Sequence, residues 1–85
     1  MAEINGIVEA LSELVDDTTV PKNIKTKLQN AITHLTNGNG DRSMSFSKAM
    51  HELEEIAEDV NIEPFTRTQV LNIVSMLEKL NHRPS

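Results

Sequence analysis

Asp17-Thr18-Thr19-Val20-Pro21 separates two stretches whose apolar residues recur at helical spacing, and reading outward from it decides the fold. Upstream, Ile4, Ile7, Val8, Leu11, Leu14 and Val15 lie at i, i+3, i+4, i+7 positions, one stripe of a helix, with Glu3, Glu9 and Glu13 opposite. Downstream, Pro21 suits a helix start, where its missing N–H costs nothing, and Ile24, Leu28, Ala31, Ile32 and Leu35 form a second stripe. Asn37-Gly38-Asn39-Gly40-Asp41 tolerates positive φ and closes that helix in a loop. Ser43, Ser45 and Ser47 offer N-caps for a third helix striped by Phe46, Ala49, Met50, Leu53, Ile56 and Ala57. Beyond Val60-Asn61-Ile62-Glu63-Pro64, a fourth turns Val70, Ile73, Val74, Leu77 and Leu80 inward. Nothing alternates at period two, so the expected fold is all-α.

A shift of 42 positions aligns the two halves without a gap. Leu11 meets Leu53, Leu14 meets Ile56, Val20 meets Ile62, Leu28 meets Val70 and Leu35 meets Leu77. Such apolar matches arise whenever two amphipathic hairpins are slid past each other. The polar matches carry more weight: Glu13 with Glu55, Asp17 with Asp59, Lys25 with Arg67, Thr26 with Thr68 and Asn30 with Asn72. The reading is one domain, residues 1–85. It is a four-helix bundle of two tandem helix-loop-helix repeats, about 3–37 and 43–80, with pseudo-two-fold symmetry.

Composition narrows function. Leu, Ile, Val and Phe number 23 of 85 residues, enough to fold, but a chain this short buries only about 60 to 65% of its unfolded surface. It has no cysteine, so neither disulfides nor thiolate chemistry is available, which fits a cytoplasmic protein. No run approaches the roughly 20 apolar residues of a membrane span, and the N-terminus lacks a secretory pattern, so no membrane role is expected. A net charge of −5 repels phosphate backbones and makes nucleic acid an unfavoured partner. By segment the charge is −5 for 3–17, +3 for 21–36, −4 for 43–59 and +1 for 60–85. Adjacent helices thus carry opposite signs, which aligns them more than it stabilises them.

The repeated polar residues are what composition leaves unexplained. Asp16 and Asp17 stand at a helix C-terminus and Lys25 near a helix N-terminus, each on the disfavoured side of the macrodipole, and Glu58, Asp59 and Arg67 repeat the arrangement. The expected compensation is a clamp across each bend, Asp17 to Lys25 and Asp59 to Arg67, with Thr19 and Asn61 capping the helix that follows. The alternative use is a carboxylate-lined site for a divalent metal or small ligand, formed if Asp16, Asp17, Glu58 and Asp59 converge at the loop end of the bundle. A lower alternative has Lys22, Lys25, Lys27 and Arg67 contacting RNA.

Catalytic patterns are missing. No Glu-x-x-His pair suits a ferritin-like metal site, and the Gly-containing loop lacks the preceding strand and following lysine of a phosphate cradle. His34, His51 and His82 stand apart in the sequence and read as edge or solvent residues. Four short helices with little aromatic surface leave scant room for a pocket of about 300 to 1,000 Å³. No catalytic residue and no cofactor are assigned. On the fourth helix Leu71 and Met76 lie outside the inward stripe, widening its apolar arc to about 220° and marking them as interface candidates.

Asp16-Asp17-Thr18-Thr19-Val20-Pro21-Lys22-Asn23-Ile24, with Glu58-Asp59-Val60-Asn61-Ile62, Thr66-Arg67-Thr68 and Leu77-Glu78, resembles an archaeal family known only as uncharacterised protein family 0147. The resemblance runs from Ile4 to about Leu80 and implies a compact four-helix bundle without an assigned activity. The second loop departs from the family pattern, in which prolines flank the Asn-Ile pair: Val60 and Glu63 hold those places here. The functional expectation is a non-enzymatic helical module that binds a protein partner or forms a homodimer.

Overall fold

The computed structural model describes residues 2–36 and 42–81. Among them are four α-helices, α1 (Ala2–Asp16), α2 (Lys22–Thr36), α3 (Arg42–Ala57) and α4 (Pro64–Asn81), and no strand. The Asn37-to-Asp41 loop and His82 lie outside the described residues. The prolines mark helix starts in two ways. Pro21 precedes α2, its carbonyl accepting from the amides of Ile24 at 3.1 Å and Lys25 at 3.0 Å. Pro64 is the first residue of α4, where a missing N–H leaves no bond unmade.

Helical periodicity places the buried side chains as expected. Ile7, Leu11 and Leu14 from α1, Ile24, Leu28 and Ala31 from α2, Phe46, Ala49, Leu53 and Ile56 from α3, and Val70, Ile73, Val74 and Leu77 from α4 form one core, joined by Val20 and Ile62 from the bends. In the 42-residue alignment Leu11 and Leu53 are both fully buried, and so are Leu28 and Val70, whereas Ile4, Ile32 and Leu35 are half-buried where Phe46, Val74 and Leu77 are buried. Thr66 is a buried polar residue where α2 has Ile24.

The seam between α2 and α3 is the most extensive, those of α1 with α2 and α3 with α4 follow, and α1 touches α4 narrowly. Lys27 Nζ lies 3.8 Å from Glu55 Oε1, and Asn30 Nδ2 donates to Glu52 Oε2 at 3.4 Å. Residue numbers rise on α2 as they fall on α3, so the two helices are antiparallel and the α1–α2 and α3–α4 bends share one end of the bundle. Both contacts join the basic helix to an acidic one, in the sense of the charge alternation.

Two expectations about α3 need correction. It starts at Arg42, so Ser43, Ser45 and Ser47 are inside the helix rather than at its N-cap, and it ends at Ala57, leaving Glu58 and Asp59 to the bend. Helix hydrogen bonding reaches one residue upstream of the first serine, which a serine-rich signal could not locate. Truncating the matched core pair, Leu11→Ala or Leu53→Ala, is expected to cost about 2 to 5 kcal/mol each, a large part of a small domain's stability, measurable by urea denaturation.

Candidate functional site

The two bends are built by the same local chemistry. In the first, the Asp17 amide donates to Leu14 O at 3.2 Å and the Asp17 carboxylate accepts from the Thr19 amide at 2.8 Å, an Asx turn that folds the chain back. In the second, the Asp59 amide donates to Ile56 O at 3.0 Å and the Asp59 carboxylate accepts from the Asn61 amide, again at 2.8 Å. The helices that follow open alike: Lys25 N to Pro21 O and Arg67 N to Glu63 O are both 3.0 Å, and Thr26 and Thr68 return their hydroxyls to Lys22 O and Pro64 O.

The direction of bracing differs from the expected caps. Thr19 Oγ1 donates back to Asp17 Oδ1 at 2.7 Å, and Asn61 contributes its main-chain amide, so each aspartate braces the residue two ahead. The hydroxyl and amide of Thr19 hold the Asp17 carboxyl below its ordinary pKa, with Lys25 a smaller coulombic influence. Arg67 is half-buried and donates through Nε to Ala57 O and through NH2 to Asp59 O, both at 2.9 Å. The link from Arg67 to Asp59 thus runs to main-chain oxygen, and with Ala57 O it satisfies the frayed C-terminus of α3, where a cation also meets the negative end of the dipole.

Asp16 and Glu58 are exposed, and among the described residues no three His, Asp or Glu side chains come together to hold a metal ion. The convergence of Asp16, Asp17, Glu58 and Asp59 that the carboxylate reading needs is therefore not formed. Sharing one end of the bundle is insufficient when Asp17 and Asp59 each turn to their own bend. The cations expected for RNA are also partly committed, Lys27 to Glu55 and Arg67 to the two carbonyls.

Exposed apolar side chains form the second feature. Val60 is 87% exposed, Phe65 70%, Leu71 48% and Met76 43%, all in the second half, with Met44 at the start of α3. Leu71 and Met76 were legible as lying outside the stripe; Val60 and Phe65 were not, and half of the chain's phenylalanine is on the surface. Their signal lay in the 42-residue alignment, which sets Val60 against Thr18, Phe65 against Asn23, Leu71 against Gln29 and Met76 against His34. At 100° per residue Phe65 and Met76 share one line along α4, and Leu71 stands about 120° away.

Open grooves run along two of the helix seams. One of about 340 Å³ lies between α2 and α3, lined by His34, Met44, Ser47, Lys48, His51 and Glu52. It brings together two histidines that look unrelated in sequence, because the antiparallel α2–α3 pairing places position 34 across from 48 and 51. The other, about 440 Å³, lies between α3 and α4 beside Leu71.

The geometry yields two expected outcomes. Arg67→Ala, which strips two charge-assisted bonds from the end of α3, should destabilise by about 1 to 3 kcal/mol in urea denaturation, and Lys25→Ala by under about 0.5. For Asp17 the folded pKa is depressed, so its stabilisation is full above the unfolded aspartate value, about 4, and is lost as pH falls through the lower folded value. Asp17→Ala should therefore lower the thermal midpoint at neutral pH and flatten its fall below about pH 4.

Comparison with known proteins agrees with this architecture. A crystal structure of an unknown-function protein, MMP1188, superposes with a TM-score of 0.84 at 39% identity, covering 89% of this chain and 86% of that one. UPF0147 protein MJ1419 of Methanocaldococcus jannaschii is 35% identical over 77 residues, 91% of this chain and 83% of its own length. UPF0147 protein PF0239 of Pyrococcus furiosus is 37% identical over 78 residues, 91% and 84%. The model of an uncharacterised protein family, UPF0147, matches residues 1–80. With the family's span covering all four helices and both bends, the chain belongs to UPF0147.

Proposed function

We propose that residues 1–85 form one non-enzymatic, cytoplasmic bundle of two tandem helix-loop-helix units, which works by binding another protein through the second unit. The repeated bend hydrogen bonds support the duplication, and no helix among the described residues is long and apolar enough to cross a membrane.

One observation carries the binding reading. The same bend and the same helix opening are built twice, once with Thr18, Asn23, Gln29 and His34 facing outward and once with Val60, Phe65, Leu71 and Met76. The first unit acts as an internal control: the fold does not require apolar side chains at these places. The exposed part of a Phe or Leu gains nothing from the fold it sits on, whereas large apolar side chains at a surface are what protein interfaces use as anchors.

The control also supplies the experiment. Replacing the four by their counterparts, Val60→Thr, Phe65→Asn, Leu71→Gln and Met76→His, should hold the thermal midpoint near that of the wild type, because each side chain is exposed. Co-purification of a partner from the source cells, or concentration-dependent mass in light scattering, should be lost. A fourfold variant with wild-type association in both assays would sink the reading.

A further inference from the structure

Resting on that protein-binding reading, we infer that the α3–α4 groove around Leu71 receives a basic amphipathic helix of a partner protein. The groove, about 440 Å³, is lined by His51, Glu54, Glu55, Ala57, Glu58 and Leu71. Its apolar lining is Ala57 and Leu71, set among the carboxylates of Glu54, Glu55 and Glu58.

The rim charges are not equally matched. Glu55 has Lys27 Nζ at 3.8 Å and His51 Nε2 at 3.6 Å. Glu54 and Glu58 are exposed, four residues apart, and neither has a cation within 4.0 Å among the described residues. The Glu58 amide donates to Glu54 O at 3.2 Å, which keeps the two like charges at helical i, i+4 spacing where they repel, and Glu58 adds its charge at the negative end of the α3 dipole. Nor does α4 relieve them, because its Arg67 donates to Ala57 O and Asp59 O. An incoming cation would remove this repulsion.

The first unit again shows what the scaffold does not need. Counterparts of Leu71, Glu54 and His51 are Gln29, Ser12 and Glu9, and α2 carries Lys22, Lys25 and Lys27 where α4 carries Pro64, Arg67 and Gln69. Among the described residues, exposed acids without a cation within 4.0 Å also stand at Glu9, Glu13 and Asp16, but the counterpart of Leu71 there is Gln29, so it is the second unit that sets an exposed apolar side chain beside its acids. A bare cation would use the acids and leave Leu71 in water. An apolar helix without charge would bury Leu71 and desolvate the acids at a cost. A helix with apolar residues at i, i+3, i+4 and i+7 flanked by Lys or Arg satisfies both, and a groove walled by two helices offers no sheet edge for a strand. A second copy of the chain is a poorer occupant, since its basic helix α2 has no large exposed apolar residue.

The test uses the full chain and a fluorescent Leu/Lys amphipathic helical peptide, followed by anisotropy. The basic peptide should bind, with affinity falling as salt rises. A twin with Glu for Lys should not bind. Leu71→Gln should weaken binding about tenfold or more, Leu71→Met should retain it, Glu54→Lys with Glu58→Lys should abolish it, and Phe65→Asn should leave it unchanged; circular dichroism checks that each variant folds. No binding of the basic peptide, equal binding of the acidic twin, or indifference to Leu71→Gln overturns the inference. So does a dimer of the free protein that Leu71→Gln dissolves, which would assign the groove to a second copy. Loss through Phe65→Asn but not Leu71→Gln overturns the groove while leaving the protein-binding reading intact on the other flank of α4. The fourfold replacement tests that reading separately.

Discussion

Each helical hairpin of this chain has one apolar face and no means of drying it alone, so the structure depends on pressing the two faces together. With no cysteine, and with none of the described residues grouped to hold a metal, cross-links do not share the task. The sixteen buried apolar residues among those described are drawn from all four helices and both bends, and the α2–α3 seam between the hairpins is the widest contact. Burial is non-directional, so it sets how much surface must meet and leaves alignment to polar groups. Lys27 with Glu55 and Asn30 with Glu52 supply that alignment along the seam. Such surface pairs are weak individually, but register needs only a preference among packings of similar area.

The four helices were legible because helical periodicity is a property of spacing, which the chain carries in one dimension. Leu11 and Leu53, or Val20 and Ile62, are buried as the stripes require. The bends were half legible. Asp17 and Asp59 stood out by repetition, but their partners did not, because an aspartate can accept from an amide two residues on or from a distant cation, and residue identity does not separate these. Geometry decides for the amides of Thr19 and Asn61. Arg67 illustrates the same difficulty, since its acceptors are carbonyls of Ala57 and Asp59 and carbonyls leave no trace in composition. The surface was least legible. A Phe or Val next to a bend reads as core until its direction is known, and Val60 and Phe65 point out because Ile62 and Thr66 take the inward places.

What separates the two halves is chemistry laid over a shared frame. The first presents lysines and uncharged polar groups where the second presents leucine, methionine and phenylalanine, over bends that share an aspartate accepting from the amide two residues on. In the acidic face of α3, Glu55 is neutralised by the hairpin next door while Glu54 and Glu58 are left unmatched. Charge and exposed apolar area therefore lie side by side on this part of the surface.

The grip of Arg67 on the end of α3 has a consequence for how this surface can vary. A latch whose acceptors are peptide oxygens is indifferent to which side chains those peptides carry, so the exposed positions 58 and 60 can be rewritten without loosening the corner. The first bend, lacking such a latch, relies on the hydroxyl of Thr19 and is less free. Anchoring through the backbone thus uncouples the outward chemistry of the second corner from its shape, so its exposed side chains can change while the frame stays fixed.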